Sequence, residues 1–154
     1  MLSHSAMYAI RALSCVVRAK GSPLLVREIA ATTGISASYL AKLVNTLARK
    51  GFVHTQRGVR GGVSLARTPE SMTLYDIALA LDEPVTLDQC YLGIPTCSGE
   101  NPCSAHSFWK VQRRREVRFL RKTTLAEIAN YDTEHPGHVP VSEEHDLEVP
   151  LLVR

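Results

Sequence analysis

Acidic side chains are almost missing from the first half of this chain. Residues 1–68 hold one, Glu28, against ten Lys or Arg, a net charge of +9. That balance is the electrostatic footprint of a surface that meets a polyanion, nucleic acid foremost, although an acidic protein or lipid would also be attracted. Long apolar runs are missing too. Arg11 and Arg18 interrupt the N-terminal stretch MLSHSAMYAIRALSCVVRAKG, which also lacks the basic n-region of a signal peptide. No membrane partner and a cytoplasmic location are therefore expected. No two cysteines are separated by two to four residues, which argues against the usual structural zinc pairing and a thioredoxin-like C-x-x-C. Paired carboxylates, a nucleophile motif and a phosphate-binding loop are absent as well, so no enzyme is expected.

What is there fits one domain. At 154 residues, 45% hydrophobic and 21% charged, the chain is long enough for a single core and too short for two large ones. Its charge is unevenly spread, since residues 131–154 hold six acids and only Arg154, a net −5.

Helical periodicity begins at once. Ala6, Ile10, Leu13 and Val17 recur at helical spacing before Gly21 and predict a first helix of about 16 residues. LLVREIAATTG gives a short helix that carries Ile29 and Ala30 and is closed by Gly34. SASYLAKLVNTLARKG then opens on Ser36 or Ser38 as N-cap, buries Leu40, Leu43, Val44 and Leu47, and ends at Gly51. Two helices joined this way form a helix-turn-helix. The second would turn Ser38, Tyr39, Lys42 and Asn45 outward, side chains able to reach base edges and phosphates. Alternating stretches at 52–56 and 63–68 flank RGVRGG, which predicts a hairpin with Arg57 and Arg60 at its tip. Helix, turn, helix and basic-tipped hairpin in that order make a winged helix, with a wing Arg directed at the minor groove.

Thr73 and Asp76 are spaced as a capping box for a further helix that turns Leu74, Ile77, Ala78 and Leu81 inward and ends at Pro84. From there to about Asn101 no periodicity is visible, and a loop of that length usually has a task. SAHSFWKVQRRREVRFLRKTT next predicts a long helix bearing Phe108, Trp109, Val111, Val117, Phe119 and Leu120, with RRR at 113–115 interrupting the apolar stripe. A small domain cannot cover all of it, so a second copy is expected against it. TTLAEIAN adds a short helix boxed by Thr124 and Glu127.

The loop carries three of the four cysteines, in the pattern C-x6-C-x5-C-x2-H from Cys90 through Cys97 and Cys103 to His106. In a reducing compartment, clustered thiols read as metal ligands or redox-active groups rather than disulfides. Widely spaced thiolates on a Gly/Pro loop suit an iron-sulfur cluster, with a histidine able to replace one cysteine, but spacing alone leaves zinc open. Cys103 and His106 share a face at a helix start, where the dipole favours a thiolate. Cys15, inside the first helix, reads as a small buried apolar residue.

Taken together these stretches resemble one family, the Rrf-type winged-helix regulators that include IscR and NsrR. The resemblance covers roughly residues 1–130 and rests on YAIRAL, GISASYLAKLVNTLARKGFV, RGVRGGVSLAR, the three-cysteine loop, HSFWK and FLRKTTLAE. It implies a dimeric, cluster-containing transcription factor, usually a repressor, and hence double-stranded DNA with a pseudo-palindromic operator as partner. His106, just before SFW, matches the IscR-like pattern, which implies a 2Fe-2S cluster ligated by Cys90, Cys97, Cys103 and His106. The first gap is one residue longer here than in that pattern. Relatives that sense nitric oxide can use an acidic ligand near the N-terminus, where this chain has Tyr8 and no acid before Glu28. His4 is a further candidate ligand. The alternative is a zinc-bound or metal-free thiol-based redox regulator of the same fold.

The expected class is mainly α with a small β-hairpin. Its parts are a winged helix-turn-helix domain over 1–83, a cluster-binding loop over 84–104, a dimerisation helix and short capped helix over 105–130, and an acidic, disordered tail over 131–154.

Overall fold

Ser3 opens the first helix: its Oγ accepts the Ala6 N–H at 3.3 Å, and α1 runs from His4 to Arg18. The computed structural model describes residues 2–58, 61–82 and 89–136. Arg60, Pro84 and the chain after residue 136 therefore lie outside the described residues. Helix α1 is the central strut, burying Ala9, Ile10, Leu13 and Val16 against α2 (Val26–Thr33), α3 (Ala37–Arg49) and α4 (Leu74–Ala80). Cys15 is buried among them, as its apolar neighbours imply.

The helix-turn-helix is built from local signals. Gly34 ends α2 at φ +69, the left-handed backbone that favours glycine. Ser36 then caps α3 by accepting from the Tyr39 N–H at 3.4 Å. Leu40, Leu43, Val44 and Leu47 face inward.

Strands β1 (Val53–Gln56) and β2 (Gly62–Leu65) pair antiparallel, with Val53 opposite Leu65 and Gln56 opposite Gly62. Strand β1 lies inside the stretch read at 52–56, whereas β2 begins one residue before the stretch read at 63–68, and the alternation beyond Leu65 is not strand. A Cβ at Gly61 would fall 2.3 Å from the Gln56 carbonyl oxygen, so the hairpin closes only with glycine there. Leu24 adds a rung beyond β2 through two bonds with Val63, at 3.0 and 2.7 Å. Arg67 donates to the carbonyls of Gly51 and Lys50 at 3.0 and 3.1 Å and lies over the Phe52 ring, which ties the end of α3 to the base of the wing.

Two capping boxes stand side by side after the wing. Thr73 with Asp76 starts α4, and Thr124 with Glu127 starts α6 (Leu125–Glu134). Backbone bonds join them: Leu74 N–H to the Thr123 carbonyl at 3.0 Å, and Leu125 N–H to the Met72 carbonyl at 2.8 Å. They root the C-terminal end of α5 (His106–Lys122) in the winged domain, where Val117 and Leu120 are buried. Phe108, Val111 and Phe119 stay exposed on the same helix. No helix among the described residues is long and apolar enough to cross a membrane.

The C-terminal boundary differs from the sequence reading. Helix α6 continues to Glu134, so residues 131–134 are helical and not tail. The cause is Ser14, a buried hydroxyl on α1 that donates to Asp132 Oδ2 at 2.5 Å and so holds the last turn against the core. The three arginines that interrupt the apolar stripe of α5 have different surroundings. Arg113 is only 6% exposed, pairs with Glu116 at 2.9 Å and lies 5.8 Å from the Trp109 ring centroid, while Arg114 and Arg115 are exposed. Burial would raise the Glu116 carboxyl, but the hydrogen bonds and positive charges facing it, those of Arg113 among them, outweigh this and hold its pKa below the ordinary value.

Candidate metal centre and nucleic-acid face

Between Gln89 and Ala105 the chain is a succession of turns. Gly93 N–H returns to the Cys90 carbonyl at 3.1 Å, Cys97 N–H to Ile94 at 3.2 Å, and His106 N–H to Cys103 at 3.0 Å. Ser98 Oγ accepts from the N–H groups of Glu100 and Asn101, closing the turn between the second and third cysteines. These turns gather residues spread over seventeen positions: the sulfurs of Cys90, Cys97 and Cys103 all lie within 4.8 Å of one another. Cys90 and Cys103 are 3.6 Å apart, and His106 Nδ1 is 3.3 Å from Cys97 Sγ. All three thiols are free.

Crowding sets their acidities apart. A backbone hydrogen bond at Ile94, with another at Leu92, lowers the Cys90 thiol against the opposing effect of desolvation. At Cys97 a backbone hydrogen bond from Cys103 pulls the same way, but desolvation and the facing thiols of Cys103 and Cys90 outweigh it, and its pKa is raised. Three sulfurs this close resist becoming anions together, and a bound cation removes that resistance.

The donor set fits a soft metal group. Tetrahedral ligation at the usual zinc–sulfur distance separates sulfurs by about 3.8 Å, close to the 3.6 Å between Cys90 and Cys103. His106 sets an imidazole against Cys97, outside the mutual 4.8 Å group of the three sulfurs, and its Nε2 is buried with no hydrogen-bond partner among the described residues. Thiolates and imidazole suit zinc or an iron-sulfur cluster alike. His4 is exposed and lies against the Tyr8 ring, with centroids 5.9 Å apart, and is not one of the gathered group.

In the winged domain, Ser38, Lys42 and Asn45 of α3 are exposed, as their helical positions imply. Tyr39 differs: it is half-buried, its hydroxyl lies 2.7 Å from Ser5 Oγ, and its ring meets Tyr8 edge-on at 5.7 Å. It braces α3 against α1. Arg57 and Asn45 line a cleft of about 530 Å³ between α3, the wing and the first turn of α2, and Arg27 lines it too. Two guanidiniums at a trough floored by Val44 and Val63 can hold phosphates while Asn45 reaches a base edge. Arg27 was not singled out in the sequence. Its only signal there is its place at the start of the helix preceding the turn.

Proteins similar to this chain are transcriptional regulators. The Rrf2 family profile, described as an iron-dependent transcriptional regulator, matches residues 2–131. The HTH-type transcriptional regulator IscR of Yersinia pseudotuberculosis is 32% identical over 130 residues, which are 84% of this chain and 79% of that one. Among solved structures, CymR, the global cysteine regulator of B. subtilis, superposes with a TM-score of 0.71 at 27% identity, over 85% of this chain and 97% of CymR. T. potens IscR does so with a TM-score of 0.66 at 25% identity, over 87% and 89%. Helix-turn-helix, wing and rooted α5 are thus shared architecture, and this chain belongs to the Rrf2 family of winged-helix transcriptional regulators.

Proposed function

We propose that the protein is a homodimeric repressor whose affinity for a pseudo-palindromic operator is set by an iron-sulfur cluster, of the 2Fe-2S type, held by Cys90, Cys97, Cys103 and His106. The observation that carries this reading is the gathering of three thiols within 4.8 Å, with an imidazole against one of them, at the outer end of a helix rooted in the DNA-binding domain. When bound, such a cluster supplies a link that iron supply and oxidation can make or break.

The chain's own residues do the rest. The turns from Cys90 to Cys103 bring the thiols to α5, and His106 fixes the first residue of that helix to the site. Phe108, Val111 and Phe119 offer the exposed apolar face for a second copy, so the posture of α5 governs how far apart two α3 helices stand. Lys42, Asn45, Ser38 and Arg57, with Arg60 at the wing, meet the DNA. Order in the loop then shifts the population toward one spacing of the two reading helices.

Anaerobic purification with iron and acid-labile sulfide analysis and a visible spectrum tests the ligand set. Wild type should carry both in equal amounts, and Cys97→Ala neither. His106→Cys should keep a cluster at lower potential, because a thiolate adds negative charge, and His106→Ala should lose it faster in air. Zinc in place of iron and sulfide would favour the thiol-and-zinc alternative. Identical behaviour of wild type and His106→Ala would move the fourth ligand elsewhere.

A further inference from the structure

Trp109, the chain's only tryptophan, stands in the first turn of α5, three residues after His106. Its indole N–H donates to the Gln89 carbonyl at 2.7 Å. The Tyr91 ring lies against its ring, with centroids 5.0 Å apart and planes at 49°. Those two contacts fall on the residues immediately before and after Cys90. Gln89 and Tyr91 are both exposed, so burial in the core does not fix their positions. Trp109 is in turn backed by Arg113, one helical turn on, whose guanidinium lies 5.8 Å from the indole centroid.

Cys90 needs such a hold more than its companions do. Cys103 and His106 share one turn, whereas Cys90 and Cys97 each close only a local turn, with Gly93 and Ile94, and Cys90 is the thiol furthest along the chain from α5. Cys90 precedes Cys103 by thirteen residues, and bringing their sulfurs to 3.6 Å closes a loop of that length, at a cost in chain entropy. We propose that Trp109 is a positioning residue for the thiol centre, holding Cys90 in place by fixing the backbone on both sides of it to the helix that carries His106. This rests on the proposed role of the thiols as ligands, yet concerns how the chain arranges them before anything binds.

The test is the alkylation rate of each cysteine in the metal-free protein, read by mass spectrometry and taken relative to the urea-unfolded chain. Trp109→Phe keeps a ring and loses the N–H. It should speed Cys90 by about fivefold, the loss of one hydrogen bond, and leave Cys97 and Cys103 within about twofold. Cys15, buried in α1, is the internal reference for an intact fold. Tyr91→Ala, which leaves Trp109 in place, should move Cys90 in the same direction and serves if Trp109→Phe does not fold. After anaerobic reconstitution with ferrous iron and sulfide, both variants should lose visible absorbance about fivefold faster than wild type. An unchanged Cys90, or equal acceleration at all four cysteines, would overturn the proposal, the latter because Trp109 would then only stabilise the fold. Failure of wild type to take up iron and sulfide would instead overturn the ligand reading, and the alkylation pattern would still decide the role of Trp109.

Discussion

The Tyr39 hydroxyl lies 2.7 Å from Ser5 Oγ, so the first turn of α3 is tied to the first turn of α1. Tyr39→Phe removes that bond and keeps the edge-on contact with Tyr8. Stability in a denaturant titration should fall by about 1 kcal/mol. Operator affinity should fall by a few fold, while the dependence of affinity on salt keeps its slope because no phosphate contact is lost. A flatter slope would make the hydroxyl a backbone contact instead.

Lys42 on α3 and Arg57 at the end of β1 are both exposed cations of the winged domain. Each replaced by Ala should weaken binding to specific and unrelated duplexes alike, and reduce the salt slope by about 1. Asn45→Ala should cost about 1–3 kcal/mol on the specific duplex alone. Binding isotherms at four salt concentrations separate the two patterns. Unchanged isotherms for all three variants would remove this face from the DNA.

Ser14 and Asp132 are 118 residues apart in sequence and joined at 2.5 Å. A chain ending at 136 should therefore melt like the full chain, whereas one ending at 131 should be less stable by about 1–3 kcal/mol, because it leaves a buried hydroxyl without its acceptor. Equal melting of the two truncated chains would show that the last turn of α6 contributes nothing.

Glu116 is held below its ordinary pKa in the folded chain, where Arg113 faces it. A lowered folded value means stability present above the unfolded value and lost as pH falls through the folded one. Between pH of about 6 and 3, wild type should thus lose more stability than Glu116→Gln, by no more than about 1 kcal/mol, since the carboxylate keeps part of its solvent contact. Parallel acid-denaturation curves would contradict the pairing.

The parts of the fold legible in the sequence are those fixed by near neighbours. Ser36, Thr73 with Asp76, and Thr124 with Glu127 cap their helices because the partner N–H lies three residues on. Gly61 marks the wing because a Cβ there would fall 2.3 Å from the Gln56 carbonyl oxygen and leave no room for a side chain. Distant partners leave no such trace. Tyr39 has the spacing of an outward residue, and only the approach of α1 turns its hydroxyl to Ser5. Arg113 reads as part of a charged interruption of the apolar stripe, and only the structure shows Trp109 and Glu116 enclosing it. Asp132 looks like the start of an acidic tail until Ser14 claims it. The candidate ligands were legible as residue types at a spacing, but the 3.6 Å between Cys90 and Cys103 depends on turns and on Trp109, which the spacing does not encode.

In the proposed function, the group held by Cys90, Cys97, Cys103 and His106 controls DNA binding. The most direct measurement takes a duplex recovered by in vitro selection with the anaerobically purified protein. Its affinity is then compared for the same preparation before and after the cluster is removed by chelator, with Cys97→Ala alongside. The two states of wild type should differ by about 5- to 150-fold, the range of a working allosteric coupling, and Cys97→Ala should match the stripped protein throughout. Equal affinity with and without the cluster would contradict the account, leaving a DNA-binding protein whose three gathered thiols serve something else.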